Sequence, residues 1–142
     1  MRRSKIVSPM HFVWGTQDRL PVITEEIEEM VYRCLIDEAT TLRCEILAIG
    51  GMPDHIHIAV MFPATISYSQ FIKQLKGASS KLMKELLPPD TFFYWQDGYG
   101  AFGFTYNERE KVISYITHQK QHHESQKLWP SLEATGEDKP NT

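Results

Sequence analysis

The chain has 142 residues, 42% of them hydrophobic and 23% charged, enough for one domain with a buried core and too few for two comfortable ones. Its net charge of −3 argues against a basic, sequence-nonspecific nucleic-acid coat, and no apolar run reaches the ~18–20 residues of a membrane span. The basic start Met1-Arg2-Arg3-Ser4-Lys5 lacks the apolar stretch of a secretory signal, and Cys34 and Cys44 have no C-x-x-C spacing, so the chain reads as cytoplasmic, without zinc knuckle or disulfide framework.

The first predicted strand is Met10–Gly15. Thr24 then caps a helix over about residues 25–42, with Glu25 and Glu26 against its positive end and Ile27, Met30, Val31, Cys34, Leu35 and Leu42 at helical spacing. Cys44–Ile49 and His55–Phe62 read as an antiparallel hairpin joined by the turn residues Gly50–Asp54. Tyr68, Phe71, Ile72, Leu75, Ser79, Leu82, Met83 and Leu86 mark a second helix, stopped by Pro88-Pro89. Phe92–Trp95 and Gly100–Thr105 are extended around a turn at Gly98–Gly100. Asn107, with Glu110 three residues on, reads as the capping box of a third helix running to about Ser125. Residues 1–129 form the single domain and residues 130–142 a polar, irregular tail. The order strand, helix, strand, strand, helix, strand, helix predicts an α+β, ferredoxin-like (RRM-like) fold. Its antiparallel sheet carries helices on one face, and a C-terminal helix is added. Such a fold hosts many functions and selects none.

Chemistry enters with His55-Ile56-His57. On a strand the two histidines share one face and Ile56, Ile58 and Val60 the other, with the histidine Cα atoms about 6.5–7 Å apart. By itself the pair fits both a metal site and two hydrogen-bonded histidines. In the last helix, Tyr115 and Gln119 lie four residues apart on one face. Alone, each reads as an ordinary packing or surface residue. Together, two imidazoles and an amide oxygen form a partly filled site suited to Mg²⁺ or Mn²⁺, with positions left for water and a phosphate oxygen. The Tyr115 phenol is then placed to attack phosphorus, given activation of a hydroxyl whose pKa is ~10 when unperturbed. A phosphotyrosine conserves the bond energy for a later 3′-hydroxyl. No Gly-x-x-x-x-Gly-Lys-Ser/Thr loop is present, so no nucleotide cofactor is expected.

Positive charge gathers at Lys73, Lys76, Lys81 and Lys84 of the second helix, mostly off its apolar stripe, which fits a phosphate-contacting face and a solvated helix face alike. Gly77 inside that helix costs about 1 kcal/mol of propensity; close approach of DNA and close helix packing both account for it. The run Phe92-Phe93-Tyr94-Trp95 reads as core or dimer interface rather than a base-stacking platform, and His118, His122 and His123 as solvated helix-end residues.

In these motifs the chain resembles the HUH single-tyrosine transposases of small insertion sequences, including their REP-associated relatives. The matching text is His11-Phe-Val-Trp14-Gly-Thr16 with Arg19-Leu-Pro21, Met52-Pro-Asp-His55-Ile-His57, and Leu75-Lys76-Gly77 with Ser79-Ser80. Trp95-Gln96-Asp-Gly98-Tyr99-Gly100 and Tyr115-Ile-Thr-His-Gln119 with His122-His123 complete it. The resemblance implies His55, His57 and Gln119 as metal ligands and Tyr115 as nucleophile. It implies a homodimer in which each tyrosine helix serves the partner's histidine pair, acting on single-stranded element ends folded into hairpins. Arg19, Lys73, Lys76 and Lys81 are the DNA-contacting candidates. The alternative is a catalytically silent or domesticated regulator that binds single-stranded DNA or hairpins on the same fold. A two-histidine phosphoesterase would need two separate H-x-[ST] motifs, and the chain has one H-x-H.

Overall fold

Four antiparallel strands form one sheet in the computed structural model, which describes residues 7–124 and 133–135. They are β1 (Val7–Gly15), β2 (Glu45–Met52), β3 (His55–Pro63) and β4 (Gly100–Gly103), in spatial order β2-β3-β1-β4. The helices are α1 (Glu25–Thr41), α2 (Tyr68–Leu86), α3 (Arg109–Thr117) and α4 (Gln119–Glu124). Among the described residues no helix is long and apolar enough to cross a membrane.

Strand parity decides which side chains meet. Met10, Phe12 and Trp14 of β1 and Ile56, Ile58 and Val60 of β3 turn to one face of the sheet. There they are buried with Val31, Leu35 and Ala39 of α1 and Phe71, Leu75 and Met83 of α2. Ser67 caps α2 by accepting from the backbone N–H of Gln70, whose side chain returns a bond to the Ser67 N–H. The opposite face holds Ala48 and Ala59, covered by Val112, Tyr115 and Ile116 of α3. The α+β sheet and its strand order agree with the sequence reading, and α2 has the predicted bounds.

Three local expectations are corrected. The hairpin turn is only Pro53-Asp54, and Gly50 and Gly51 are strand residues opposite His57 and Ile56. A Cβ on Gly50 would stand 2.1 Å from the Ile116 carbonyl oxygen, so bare backbone here is what admits α3. The cap of the last helical region is Thr105 with Glu108, not Asn107 with Glu110: Glu108 Oε1 accepts from the Thr105 N–H and hydroxyl, both at 2.9 Å. The predicted single helix is also interrupted at His118 (φ −105°, ψ 33°), whose Nδ1–H donates to the Ser114 carbonyl at 2.9 Å. α4 ends at Glu124, and Ser125 lies outside the described residues. The 92–95 segment forms no strand, only a bridge between Trp95 and Thr16.

Candidate active site

His55 and His57 project from β3 toward α3 and are fully buried, with His57 opposite Val13 of β1 and Gly50 of β2. Facing them, α3 brings the buried Tyr115 ring to a centroid distance of 6.1 Å from His57, edge to face. Glu133 completes the cluster. Its Oε1 lies 3.1 Å from His57 Nε2, 3.3 Å from His55 Nε2 and 3.4 Å from His123 Nε2. Its Oε2 accepts a hydrogen bond from the Tyr115 hydroxyl. One carboxylate therefore joins the phenol to both imidazoles. The 133–135 segment is seated against the sheet: Gln96 Nε2 donates to the Thr135 carbonyl at 2.8 Å, and a Cβ on Gly100 would collide with the Ala134 carbonyl at 1.9 Å.

The outer partners fix the histidines. His55 Nδ1 lies 2.7 Å from Asp54 Oδ1. Partial burial pushes the Asp54 carboxyl up, but the His55 bond and the charges of His55 and Arg19 win and hold it below its ordinary value. An ionised carboxylate only accepts, so His55 carries its proton on Nδ1 and turns Nε2 to the site. His57 Nδ1 lies 2.8 Å from His11 Nε2, the two rings stacked with centroids 5.0 Å apart. Burial holds His57 below its ordinary 6.5. Burial, assisted by His57, takes His11 down to about 3. Both are neutral at neutral pH. For His55, burial also opposes charge, yet its bond to Asp54 and the negative charge of the facing Glu133 outweigh it and raise the pKa. Burial likewise pushes Glu133 up, but the facing imidazoles of His55 and His57 prevail and hold it well below the carboxylate range.

His55 Nε2 is 3.3 Å from Glu133 Oε1 but off its hydrogen-bonding direction, and so is a buried ring nitrogen without a hydrogen-bond partner among the described residues. His55, His57 and Glu133 offer one ligand atom each within 4.8 Å of one another. Two imidazole nitrogens and a carboxylate oxygen, one of the nitrogens unsatisfied, fit a divalent cation.

Of the residues named from sequence, the fold brings His55, His57 and Tyr115 together within one chain. Gln119 is buried beside them, but its Nε2 donates to the Tyr115 carbonyl at 3.2 Å and its Oε1 lies 3.1 Å from His123 Nε2. An oxygen between the two histidines is supplied by Glu133 Oε1. His123 belongs to the cluster, and His122 stacks on Tyr115 at 4.8 Å. His118 stays exposed. Arg19 leans on the site, its Nε 3.4 Å from Asp54 Oδ2 and its Nη2 3.4 Å from His55 Nδ1. Lys76 is turned inward: its Nζ donates to the carbonyls of Gln96 (2.8 Å) and Gly98 (2.7 Å). Lys73 and Lys81 are exposed. Among the described residues a Cβ on Gly77 would meet nothing within 4 Å, which removes close packing against the described helices as its reason.

His11, His123 and Glu133 escaped the sequence reading as functional groups. His11 had a signal, since strand parity sets it on the face of Val13, opposite His57. Glu133 had none, lying 76 positions from His57 in a tail without periodicity.

Residues 5–119, which hold both histidines, Tyr115 and Gln119, match the family described as IS200-like transposases. The chain belongs to this family. A curated IS200-like relative, the ISDra2 transposase TnpA of Deinococcus radiodurans, is 28% identical over 116 residues, covering 77% of this chain and 81% of the relative. A crystal structure of a D. radiodurans chain described as a transposase superposes with a TM-score of 0.66 at 25% identity, covering 84% of this chain and 98% of that one. A REP-associated tyrosine transposase bound to a REP hairpin shares the fold, with a TM-score of 0.64 at 16% identity and coverage of 99% and 98%. IS200-like transposases are DNA-cleaving enzymes. The family match ends at residue 119, before Glu133.

Proposed function

We propose that the chain cuts and rejoins single-stranded DNA at hairpin-bearing element ends, through a 5′-phosphotyrosine on Tyr115 and with Mg²⁺ or Mn²⁺ at the histidine pair. The observation that carries this is the shared carboxylate: Glu133 contacts the Tyr115 hydroxyl on one oxygen and both imidazoles on the other. His55 and His57, through their Nε2 atoms, and Glu133 would hold the cation, with Gln119 as a neighbouring amide. When bound, the cation supplies Lewis-acid polarisation of the scissile phosphate.

The chain's own residues do the rest. Asp54 and His11 keep the two imidazoles oriented, His57 and His11 both uncharged. Glu133 Oε2, which already accepts the Tyr115 hydrogen, takes the proton as the phenol oxygen attacks phosphorus. The Tyr115–phosphate bond forms, the bond to the 3′-oxygen breaks, and the departing strand takes a proton from water and leaves as a 3′-hydroxyl. A 3′-hydroxyl attacking the phosphotyrosine reverses these steps and needs no ATP. The placement of Tyr115 beside its own chain's histidines supports a site complete in one subunit. A homodimer then serves to hold two element ends.

The test is a labelled single-stranded oligonucleotide carrying an element end, incubated with protein in Mg²⁺ or Mn²⁺ and in EDTA. A denaturation-resistant protein–DNA adduct is expected with metal only, and is lost in Tyr115→Phe while DNA binding persists. Binding without any adduct in either metal would leave a silent DNA-binding protein.

A further inference from the structure

We infer that Phe92 and Tyr94 form a stacking shelf for one unpaired base of the DNA strand that passes the Tyr115 site; this rests on the DNA-cutting function proposed above. Along residues 92–95 the aromatic side chains alternate. Phe93 (2% exposed) and Trp95 enter the core, while Phe92 (81%) and Tyr94 (53%) face outward. Among the described residues the outward pair packs in no core cluster. With Leu20 and Val22 it lines a hollow of about 210 Å³.

The shelf is built rigidly. Trp95 Nε1 donates to the buried Ser79 hydroxyl at 2.9 Å, the Gln17 N–H to the Tyr94 carbonyl at 2.9 Å, and the Gln96 N–H to the Gly15 carbonyl at 3.0 Å. A platform fixed beforehand loses little freedom when a ring stacks on it. Its neighbours in the chain reach the catalytic cluster. Residues 16–18 wall the hollow, and Arg19, next in the chain, reaches His55. Gln96, two residues beyond Tyr94, holds the segment that carries Glu133.

Charge selects the occupant. Lys84 Nζ lies 5.3 Å from the centre of the Tyr94 ring, and Lys73 and Lys81 stand exposed along the same helix, with bare Gly77 between them. Exposed aromatic faces ending a row of cations suit a single strand, the rings for bases and the ammonium groups for phosphates. A base locked in a duplex has no free face to offer, so the occupant is an unpaired base.

The experiment uses the full chain in EDTA, so that binding is read apart from cleavage. Fluorescein-labelled oligo-dT is compared with an abasic deoxyribose-phosphate strand of equal length. Wild type is expected to bind oligo-dT about tenfold tighter or more, the scale of one stacked base. Phe92→Ala/Tyr94→Ala should bind both strands alike, with an unchanged melting temperature because both side chains are largely outside the core. Phe92→Leu/Tyr94→Leu, which keeps apolar bulk and removes the ring faces, should lose most of the preference. Lys84→Ala should weaken both strands by the same factor. Equal binding of the two strands by wild type, or a preference that survives both double variants, overturns the shelf. So does a changed oligomeric state of the alanine variant, which would mark the face as a protein interface. Failure of the cutting function reads differently: no Tyr115 adduct forms in metal, while the preference for bases remains.

Discussion

Tyr115 and Glu133 stand eighteen positions apart in the chain and meet at one hydrogen bond, the phenol donating to Oε2 while Oε1 lies 3.1 Å from His57 Nε2. A carboxylate so placed orients the hydroxyl and sets negative charge where the two imidazole edges converge. It is also the group most open to a decisive substitution.

Glu133→Gln keeps the shape of the side chain and removes its charge. Mn²⁺ binding measured by calorimetry without DNA is expected to weaken about tenfold or more, and metal-dependent adduct yield to fall with it. Unchanged Mn²⁺ affinity would take Glu133 out of the ligand set. A rise in adduct yield would instead identify residues 133–135 as a cover over the site.

Two glycines predict opposite signs. In Gly50→Ala the new Cβ would sit 2.1 Å from the Ile116 carbonyl oxygen, a backbone contact that yields only if α3 moves. Urea unfolding should show a loss of about 1–3 kcal/mol, and adduct formation should suffer because α3 carries Tyr115. In Gly77→Ala the Cβ meets open space inside α2, so stability should rise by about 0.5–1 kcal/mol. A destabilised Gly77→Ala or a neutral Gly50→Ala would contradict these contacts.

Acid should unfold the metal-free protein early. His11 is held at about 3 and His57 below 6.5 in the fold, while both titrate near ~6.5 when unfolded. Below that pH the unfolded chain binds more protons, so stability falls as pH falls. Asp54 and Glu133, both held low, extend the loss at lower pH. His55, raised in the fold, works in the other direction: its contribution is whole below 6.5 and is lost as pH rises through its folded value. From His11 alone the expected slope is about 1.4 kcal/mol per pH unit between roughly pH 6 and 4. His11→Phe should flatten the urea-derived slope by about that amount; an identical slope would assign the acid sensitivity to other groups.

The lysines of α2 should divide by where their ammonium groups point. Lys76→Ala removes two charged hydrogen bonds to the Gln96 and Gly98 carbonyls, and should cost about 1–2 kcal/mol of stability. Lys73→Ala and Lys81→Ala, at exposed positions, should leave the melting temperature alone. Each should instead shallow the salt dependence of single-strand binding by up to about 0.7 in log–log slope. A Lys76→Ala protein as stable as wild type, with only its salt slope changed, would return Lys76 to the DNA face.

Much of this molecule is written in local periods. The strand period of two sets His55 and His57 on one face and Ile56, Ile58 and Val60 on the other. The helical spacing from Tyr68 to Leu86 delimits α2, and the order of elements gives the sheet. These follow from sequence because backbone geometry alone fixes which neighbours share a face. Glycine misleads for the same reason: Gly50 and Gly51 look like a turn, and only the approach of Ile116 shows that Gly50 is bare to make room for a helix. The break at His118 has a similar origin, since a side chain that bonds the Ser114 carbonyl leaves no mark in hydrophobic spacing. The tertiary structure alone decided that Glu133 reaches His57 across 76 positions and that Gln119 turns to His123. Contacts at such separations depend on how packed elements bring distant chain segments together, and no short-range pattern encodes that meeting.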